Sequence, residues 1–176
     1  MKQHKRIDIV GHVKLQVLLN LMAIPLFFGF WFLMALLTGI NAFSMDLWQL
    51  WSIFILLIVF MVVHELIHGL FFKLFHPRDH VKYGYTKGML YATNPGKLYK
   101  RWQFMIIGIM PLILITLALW GPFLIGVIHA SVFILVAAFH AAGCVGDLYF
   151  EIILMFSPIG AMVEDTATGM TIYVKQ

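Results

Sequence analysis

Charged residues are scarce in this chain. Asp, Glu, Lys and Arg together make up 11% of its 176 residues, whereas 62% are hydrophobic and the mean hydropathy is +0.93. Soluble domains are typically about 45–50% apolar and about 25% charged. A soluble fold of this length has too little interior to hide so much apolar surface, so the composition indicates that lipid surrounds much of the chain.

Cysteine is almost absent as well, because Cys144 is the only one and an internal disulfide is therefore excluded. No linker rich in glycine or proline, no repeat and no low-complexity segment divides the sequence. We therefore expect a single integral membrane domain over residues 1–176. The net charge of +4 and the pI of about 9.3 would also fit a nucleic-acid partner. The distribution of the cations favours a membrane explanation, and we expect no nucleic-acid partner.

Apolar runs long enough to cross a bilayer occur four times. A spanning helix needs about 20 apolar residues, and the qualifying windows cover about 15–39, 50–75, 104–127 and 130–156. The first run is longer than the apolar region of a signal peptide, about 7–15 residues, and no clear cleavage site follows it. The sequence therefore predicts an all-α membrane protein with four transmembrane helices.

The positive charges predict the orientation of these helices. All twelve Lys and Arg residues lie before the first span, at the end of the second span, in the loop 76–103 or in the tail 157–176. The segments 40–50 and 120–130, on the other side, contain none. Because Lys and Arg concentrate in cytoplasmic loops, we expect a multi-pass protein of the cell membrane with the loop and both termini in the cytoplasm.

The cytoplasmic loop carries a hairpin pattern. Aromatic and apolar residues at 81–85 and 89–92 flank a turn that contains Gly88, and residues 94–96 form a second turn signal. In the tail, residues 170–174 fit a short strand. We therefore expect a short β-hairpin between the second and third spans.

The second span contains the motif His64-Glu65-Leu66-Ile67-His68. Residues four apart share one face of a helix, so both imidazoles can reach one ion with Glu65 beside its open position. A zinc ion with three protein ligands lowers the pKa of its bound water to about 7. Ionisable groups within a bilayer are costly unless they are paired, and they usually mark function. The sequence thus predicts a zinc site with Glu65 as the catalytic base.

Asp147, in the fourth span, is the leading candidate for a third ligand. At 1.5 Å per residue, His64, Asp147 and His68 lie about 16, 14 and 10 Å from the cytoplasmic edge of the membrane. Gly143 and Gly146 are expected to let the helices approach closely.

Other groups on the same face of the fourth span remain open alternatives. Cys144 offers a thiolate, which is a good zinc ligand. His140 and Glu151 lie on that face too. All three are also candidates for groups that hydrogen-bond to a metal-ligating side chain. A second histidine pair, His76 and His80, is interrupted by Pro77 and is expected to lie in a solvated loop.

At these residues the sequence resembles a known group of enzymes. A membrane-embedded HExxH motif followed much later by an Asp is similar to the site-2-protease type of intramembrane metalloprotease. The closer resemblance, over His64–Gly69, the hairpin loop, Gly146-Asp147 and the tail, is to small bacterial zincin-type membrane peptidases. This resemblance implies zinc bound by His64, His68 and Asp147, with Glu65 as the base. Site-2 proteases usually place the Asp before a Gly, whereas here Gly146 precedes Asp147.

The leading functional hypothesis is zinc-dependent hydrolysis of a peptide bond in or near the membrane, with a membrane protein or peptide as substrate. A metal-ion or proton transporter that uses the same buried His, Asp and Glu residues is the first alternative. A catalytically inactive scaffold is the second.

Overall fold

Long apolar helices make up most of the protein. The computed structural model describes residues 1–39, 44–86 and 88–175. Its helices are α1 (Val13–Thr38), α2 (Leu47–Phe75), α3 (Arg101–Leu124), α4 (Ala130–Gly143) and α5 (Val145–Met155). By length and composition α1, α2 and α3 can each cross a membrane, and α4 with α5 forms a fourth candidate that bends by 54°.

The strands form two antiparallel sheets. The strands are β1 (Lys2–Asp8), β2 (Lys82–Thr86), β3 (Met89–Thr93), β4 (Leu98–Lys100), β5 (Met162–Thr166) and β6 (Gly169–Val174). Strands β2 and β3 form a hairpin, and the other four form a sheet in the order β1-β6-β5-β4. This sheet therefore joins the start of the chain, the loop between α2 and α3, and the tail.

The helix starts follow local sequence signals. At the start of α2, the Asp46 carboxylate accepts a hydrogen bond from the Gln49 N–H at 2.7 Å, and the Gln49 side chain accepts one from the Asp46 N–H. This reciprocal pairing satisfies two amide groups that the first helical turn leaves without partners. At the start of α3, the Gln103 side chain accepts a hydrogen bond from the Lys100 N–H at 2.8 Å.

Helix α4 lies at the centre of the bundle. Phe133, Ile134 and Val136 are fully buried and pack with apolar side chains of α1, α2 and α3. The outward faces of α1 and α2 are instead exposed and apolar, as lipid contact requires. Trp48 and Trp51 are exposed at the start of α2, a position typical of aromatic anchors at a membrane interface.

The fourth apolar run is broken at Cys144. This residue leaves helical geometry at φ −75° and ψ 7°, although its N–H still donates to the carbonyl groups of His140 and Ala141. The first turn of α5 carries Asp147. The break therefore redirects the chain just before this carboxylate.

Most of the predicted elements are confirmed, with three corrections. The spans at 15–39, 50–75 and 104–127 match α1, α2 and α3 to within three residues, and the hairpin and the tail strand are present. The fourth span, 130–156, is bent rather than continuous. The all-α prediction is incomplete, because it did not include the four-stranded sheet. Three strands of this sheet are short or polar and carry little alternating apolar pattern.

The third correction concerns the glycines of the fourth span. A Cβ atom at Gly143 would meet nothing within 4 Å, and one at Gly146 would meet only an Ile9 methyl at 3.9 Å. Close helix approach is therefore not their role, and that prediction is wrong. The tight contacts lie at other glycines: Gly69 against the Tyr83 ring, and Gly108 against the Glu151 carboxylate.

Gly169 lies where β6 pairs with β1, so a substitution at this position tests that pairing. A Cβ atom there would overlap the Ile7 carbonyl, which is backbone and cannot move aside without disturbing the β1–β6 pairing. We expect Gly169→Ala to lower the free energy of unfolding by roughly 1–3 kcal/mol, as overpacking does, measured by thermal unfolding in detergent. Gly160→Ala is the matched control, because a Cβ there would meet nothing within 4 Å. Equal stability of the two variants would contradict the described pairing.

Candidate metal centre

A cleft of about 240 Å³ lies where α2, α3 and α5 meet the two sheets. Its wall includes His64, Glu65, His68 and Asp147, together with β3 and the turn between β5 and β6. The cleft thus contains the whole HExxH motif and the distant carboxylate predicted to join it.

The three predicted ligands converge in this cleft. The Nε2 atoms of His64 and His68 lie 3.0 Å apart. The Asp147 carboxylate approaches His64 Nε2 at 3.2 Å and His68 Nε2 at 3.5 Å. Metal–ligand distances of about 2.0–2.2 Å around a tetrahedral zinc ion place ligand atoms roughly 3.4 Å apart. The separations therefore suit one ion held by all three side chains.

A backbone carbonyl fixes the orientation of His68. Its Nδ1 lies 2.9 Å from the carbonyl oxygen of Ile107 in α3. A carbonyl only accepts hydrogen bonds, so Nδ1 carries the proton and the Nε2 lone pair of the neutral ring faces the cleft. The ring is buried, which further restricts its movement. A cation is the partner that such an arrangement of a lone pair, a second imidazole and a carboxylate calls for.

Glu65 lies beside this group and is held by strand β3. Its carboxylate accepts a hydrogen bond from the Ala92 N–H, and it interacts electrostatically with both motif histidines. Glu65 lies next to His64 in the sequence and lines the same cleft. It is therefore placed to exchange a proton with a molecule bound at the metal centre.

The other candidates for a third ligand lie elsewhere. Cys144 Sγ and His140 Nε2 face the Nδ1 side of His64, at 3.8 Å and 3.2 Å. They therefore do not join His68 and Asp147. Glu151 lines the cleft one turn further along α5, with its carboxylate against Gly108. Of the four candidates, Asp147 is the one grouped with both motif histidines.

The second histidine pair remains outside the centre. His76 ends α2 and packs edge-on against the Tyr99 ring, with centroids 4.8 Å apart. His80 is exposed in the loop before β2. Nearby, Asp79 forms an ion pair with Lys97 at 2.9 Å, and this pairing helps to lower the pKa of Asp79.

Asp165, in β5, is a buried carboxyl that the sequence did not single out. It lines the cleft, and one of its oxygens has no partner among the described residues. Burial raises the pKa of Asp165 to about 7, because the nearby Asn94 N–H only partly compensates for lost hydration. The backbone contributions of Ile107 and Ala92 were likewise unpredictable, because a main-chain group leaves no signal in the residue types.

Comparison with known protein families decides the class of the chain. Residues 57–162, which are more than half of the chain, match the family described as "Putative zincin peptidase". The chain belongs to this family. The match includes α2 with the HExxH motif and extends past Asp147. No curated protein and no solved structure matches the chain.

Membership of this family assigns the chain to the zincin-type peptidases as a class. The metal of that class is zinc. The chemistry of the donor set fits that metal: two imidazole nitrogens and one carboxylate are the ligands of many catalytic zinc sites. The resemblance to zincin-type membrane peptidases is confirmed at this level, as is the long apolar character of the helices.

The buried Asp165 predicts a pH dependence of stability. Its pKa is about 7 in the folded chain and near 3.8 when exposed, so between these values the folded state holds a proton that the unfolded state releases. The free energy of unfolding therefore falls as pH rises through this window, by up to roughly 4 kcal/mol. We expect Asp165→Asn to flatten the fall between pH 5 and pH 8, measured by thermal unfolding in detergent. Asp46→Asn, at an exposed helix cap, should keep the original slope; an unchanged slope in Asp165→Asn contradicts the assignment.

Proposed function

We propose that the chain is a zinc-dependent intramembrane peptidase, which hydrolyses a peptide bond of a membrane protein or peptide in or near the bilayer. The observation that carries the proposal is the convergence of His64, His68 and Asp147 beside Glu65 in an open cleft. Family membership supports the peptidase class. The location of the motif within α2, a helix of membrane-spanning length, supports cleavage at membrane depth.

The geometry supports a role as ligand for three side chains. His64 and His68 would hold the ion through Nε2, and Asp147 would hold it through its carboxylate. Zinc bound there supplies a Lewis acid that lowers the pKa of water and polarises a carbonyl group. His140 accepts a hydrogen bond from the Nδ1–H of His64, and the Ile107 carbonyl does the same for His68, so both rings keep Nε2 free for the ion.

Glu65 is the group that moves protons. Its carboxylate takes a proton from the attacking water and delivers it to the nitrogen of the departing amine. The Ala92 N–H holds the carboxylate beside the histidines without occupying the ligand positions. Asp147, as a ligand of the ion, is not free for this task.

We also propose four membrane crossings with both termini in the cytoplasm. Strand β1 precedes α1, β4 follows α2, and β5 and β6 follow α5, yet these strands share one sheet. Since these strands meet on one side of the membrane, the chain must cross the membrane and return between β1 and β4. It must do so again between β4 and β5. The positive charges on that side support a cytoplasmic location for it. The surrounding lipid is then a partner along the exposed faces of α1 and α2.

The hairpin supplies a way to hold a substrate. Strand β3 pairs with β2 along one edge, while its Ala92 N–H points to Glu65 rather than to β2. Because strand residues alternate in the direction of their N–H groups, the Leu90 N–H faces the same way, and Leu90 lines the cleft. This edge can add an extended substrate as a further strand and satisfy its backbone within the membrane.

Metal content tests the ligand set. Every variant in this test also carries Cys144→Ser, which removes the thiol on the other side of His64. In that background we expect Asp147→Ala to reduce bound zinc in the purified protein by at least tenfold, measured by elemental analysis, because the ion loses its only anionic ligand. Glu151→Ala is the matched control: it removes a carboxylate one turn away in the same cleft and should keep zinc. Equal zinc in both variants would rule out Asp147 as a ligand.

Peptide hydrolysis tests the role of Glu65. Glu65→Gln keeps the size of the side chain and removes its ability to take a proton, so zinc should remain while hydrolysis falls by about 10²-fold or more. The measurement is cleavage of a membrane peptide reconstituted in vesicles, beside zinc analysis. Full hydrolysis by the variant would exclude Glu65 as the base. Ion transport altered by the same substitution, without hydrolysis by either protein, would favour the transporter.

Leu90 tests substrate addition to β3. Leu90→Pro removes an N–H on the cleft side and leaves the β2–β3 pairing bonds in place, so cleavage should fall roughly tenfold, with zinc retained. Leu90→Ala is the control, since it shortens the side chain and keeps the N–H. If the two variants cleave equally well, the edge of β3 does not bind the substrate backbone.

A further inference from the structure

A second cluster of metal-binding side chains lies behind the candidate metal centre. It consists of His64 Nδ1, His140 Nε2 and Cys144 Sγ. The nitrogens are 3.2 Å apart, and the sulfur lies 3.8 Å from each of them. With bonds of about 2.3 Å to sulfur and about 2.0–2.1 Å to nitrogen, a tetrahedral zinc ion separates its ligand atoms by roughly 3.4–3.6 Å. Each observed separation lies within roughly 0.2 Å of this range.

We propose that His64, His140 and Cys144 form a second cation site, which takes a borderline or soft d-block ion such as Zn²⁺ and shares His64 with the first centre.

The symmetry of the cluster favours a shared cation over a chain of hydrogen bonds. The sulfur of Cys144 is equally distant from the two nitrogens, as a cation bound by all three atoms requires. A proton relay would need an onward partner for His140, but its Nδ1 is buried with no partner among the described residues. A shared cation satisfies all three ligand atoms at once.

The position of Cys144 supports the same assignment. Its side chain is buried at the break between α4 and α5, and His140 is buried one turn earlier. Residues four apart on a helix share a face, so these two groups form a pair that α2 completes with His64. Two imidazoles and a thiolate are the donor types that favour zinc and copper over calcium or magnesium.

Because both sites use His64, only one of them can hold an ion at a time. A neutral imidazole has one lone pair, at Nε2 for the first centre or at Nδ1 for the second. With an ion in the second site, the thiol proton passes to solvent and the His64 Nε2–H donates to Asp147, which lies 3.2 Å away. Occupation of the second site therefore withdraws His64 from the first.

Cobalt spectroscopy of the whole chain in detergent tests the site. Thiolate bound to Co²⁺ gives an intense charge-transfer band in the near ultraviolet, whereas imidazole and carboxylate ligands do not. Cys144 is the only cysteine, so such a band can arise from no other residue of the chain. Asp147→Ala is the background protein, because there the first centre lacks its carboxylate.

We expect Asp147→Ala to show the band at one equivalent of Co²⁺, and Asp147→Ala/Cys144→Ser to lack it. In Asp147→Ala/His140→Ala, the affinity for Co²⁺ should be at least tenfold weaker. Circular dichroism of each protein confirms that it is folded. Absence of the band from folded Asp147→Ala, or equal affinity without His140, overturns the proposal. The single variant Cys144→Ser should keep zinc at the first centre, because that centre does not use the thiol. Its zinc content therefore tests the peptidase hypothesis separately from the second site.

Discussion

The cost of placing ionisable groups among apolar helices governs this structure. A single charged side chain at membrane depth costs several kcal/mol unless a partner compensates it. Here two imidazoles and a carboxylate face one another within 3.0–3.5 Å, an arrangement that a cation held among them would compensate. The same constraint explains why these side chains turn inward to a cleft, while the outward faces of α1 and α2 are apolar.

The sheets follow from this constraint. The proposed peptidase would have to admit water and an extended substrate, whose backbone hydrogen-bonding groups would lack partners in lipid. Strand β3 and the β5–β6 turn provide polar main-chain groups at the cleft. Pairing of β1 with β6 and of β4 with β5 ties the chain ends to the loop that precedes α3, which fixes the sheet over the cleft.

Sequence reasoning succeeded where a residue type carries the information. The i, i+4 spacing of His64 and His68 and the comparable depth of Asp147 were sufficient to predict which side chains meet. Hydropathy gave the helices to within three residues at the ends of α1, α2 and α3. The bend at Cys144 escaped prediction, because hydropathy is continuous through it and glycines also occur in straight membrane helices.

The parts that were missed depend on tertiary pairing. Strands β4 and β5 are short, and they are strands only because β5 pairs with β6 and β4 pairs with β5. The Ile107 carbonyl and the Ala92 N–H act through the main chain, so their residue types say nothing about their roles. Asp165 looks like an ordinary polar tail residue until the fold buries it.

Locating the ion in an experimental structure of the zinc-loaded protein is the most direct test of this account. Anomalous diffraction at the zinc absorption edge should give a peak about 2.0–2.2 Å from the Nε2 atoms of His64 and His68 and from an Asp147 carboxylate oxygen. A peak held by other side chains, or α2 and α5 too far apart for these three groups to meet, would contradict it.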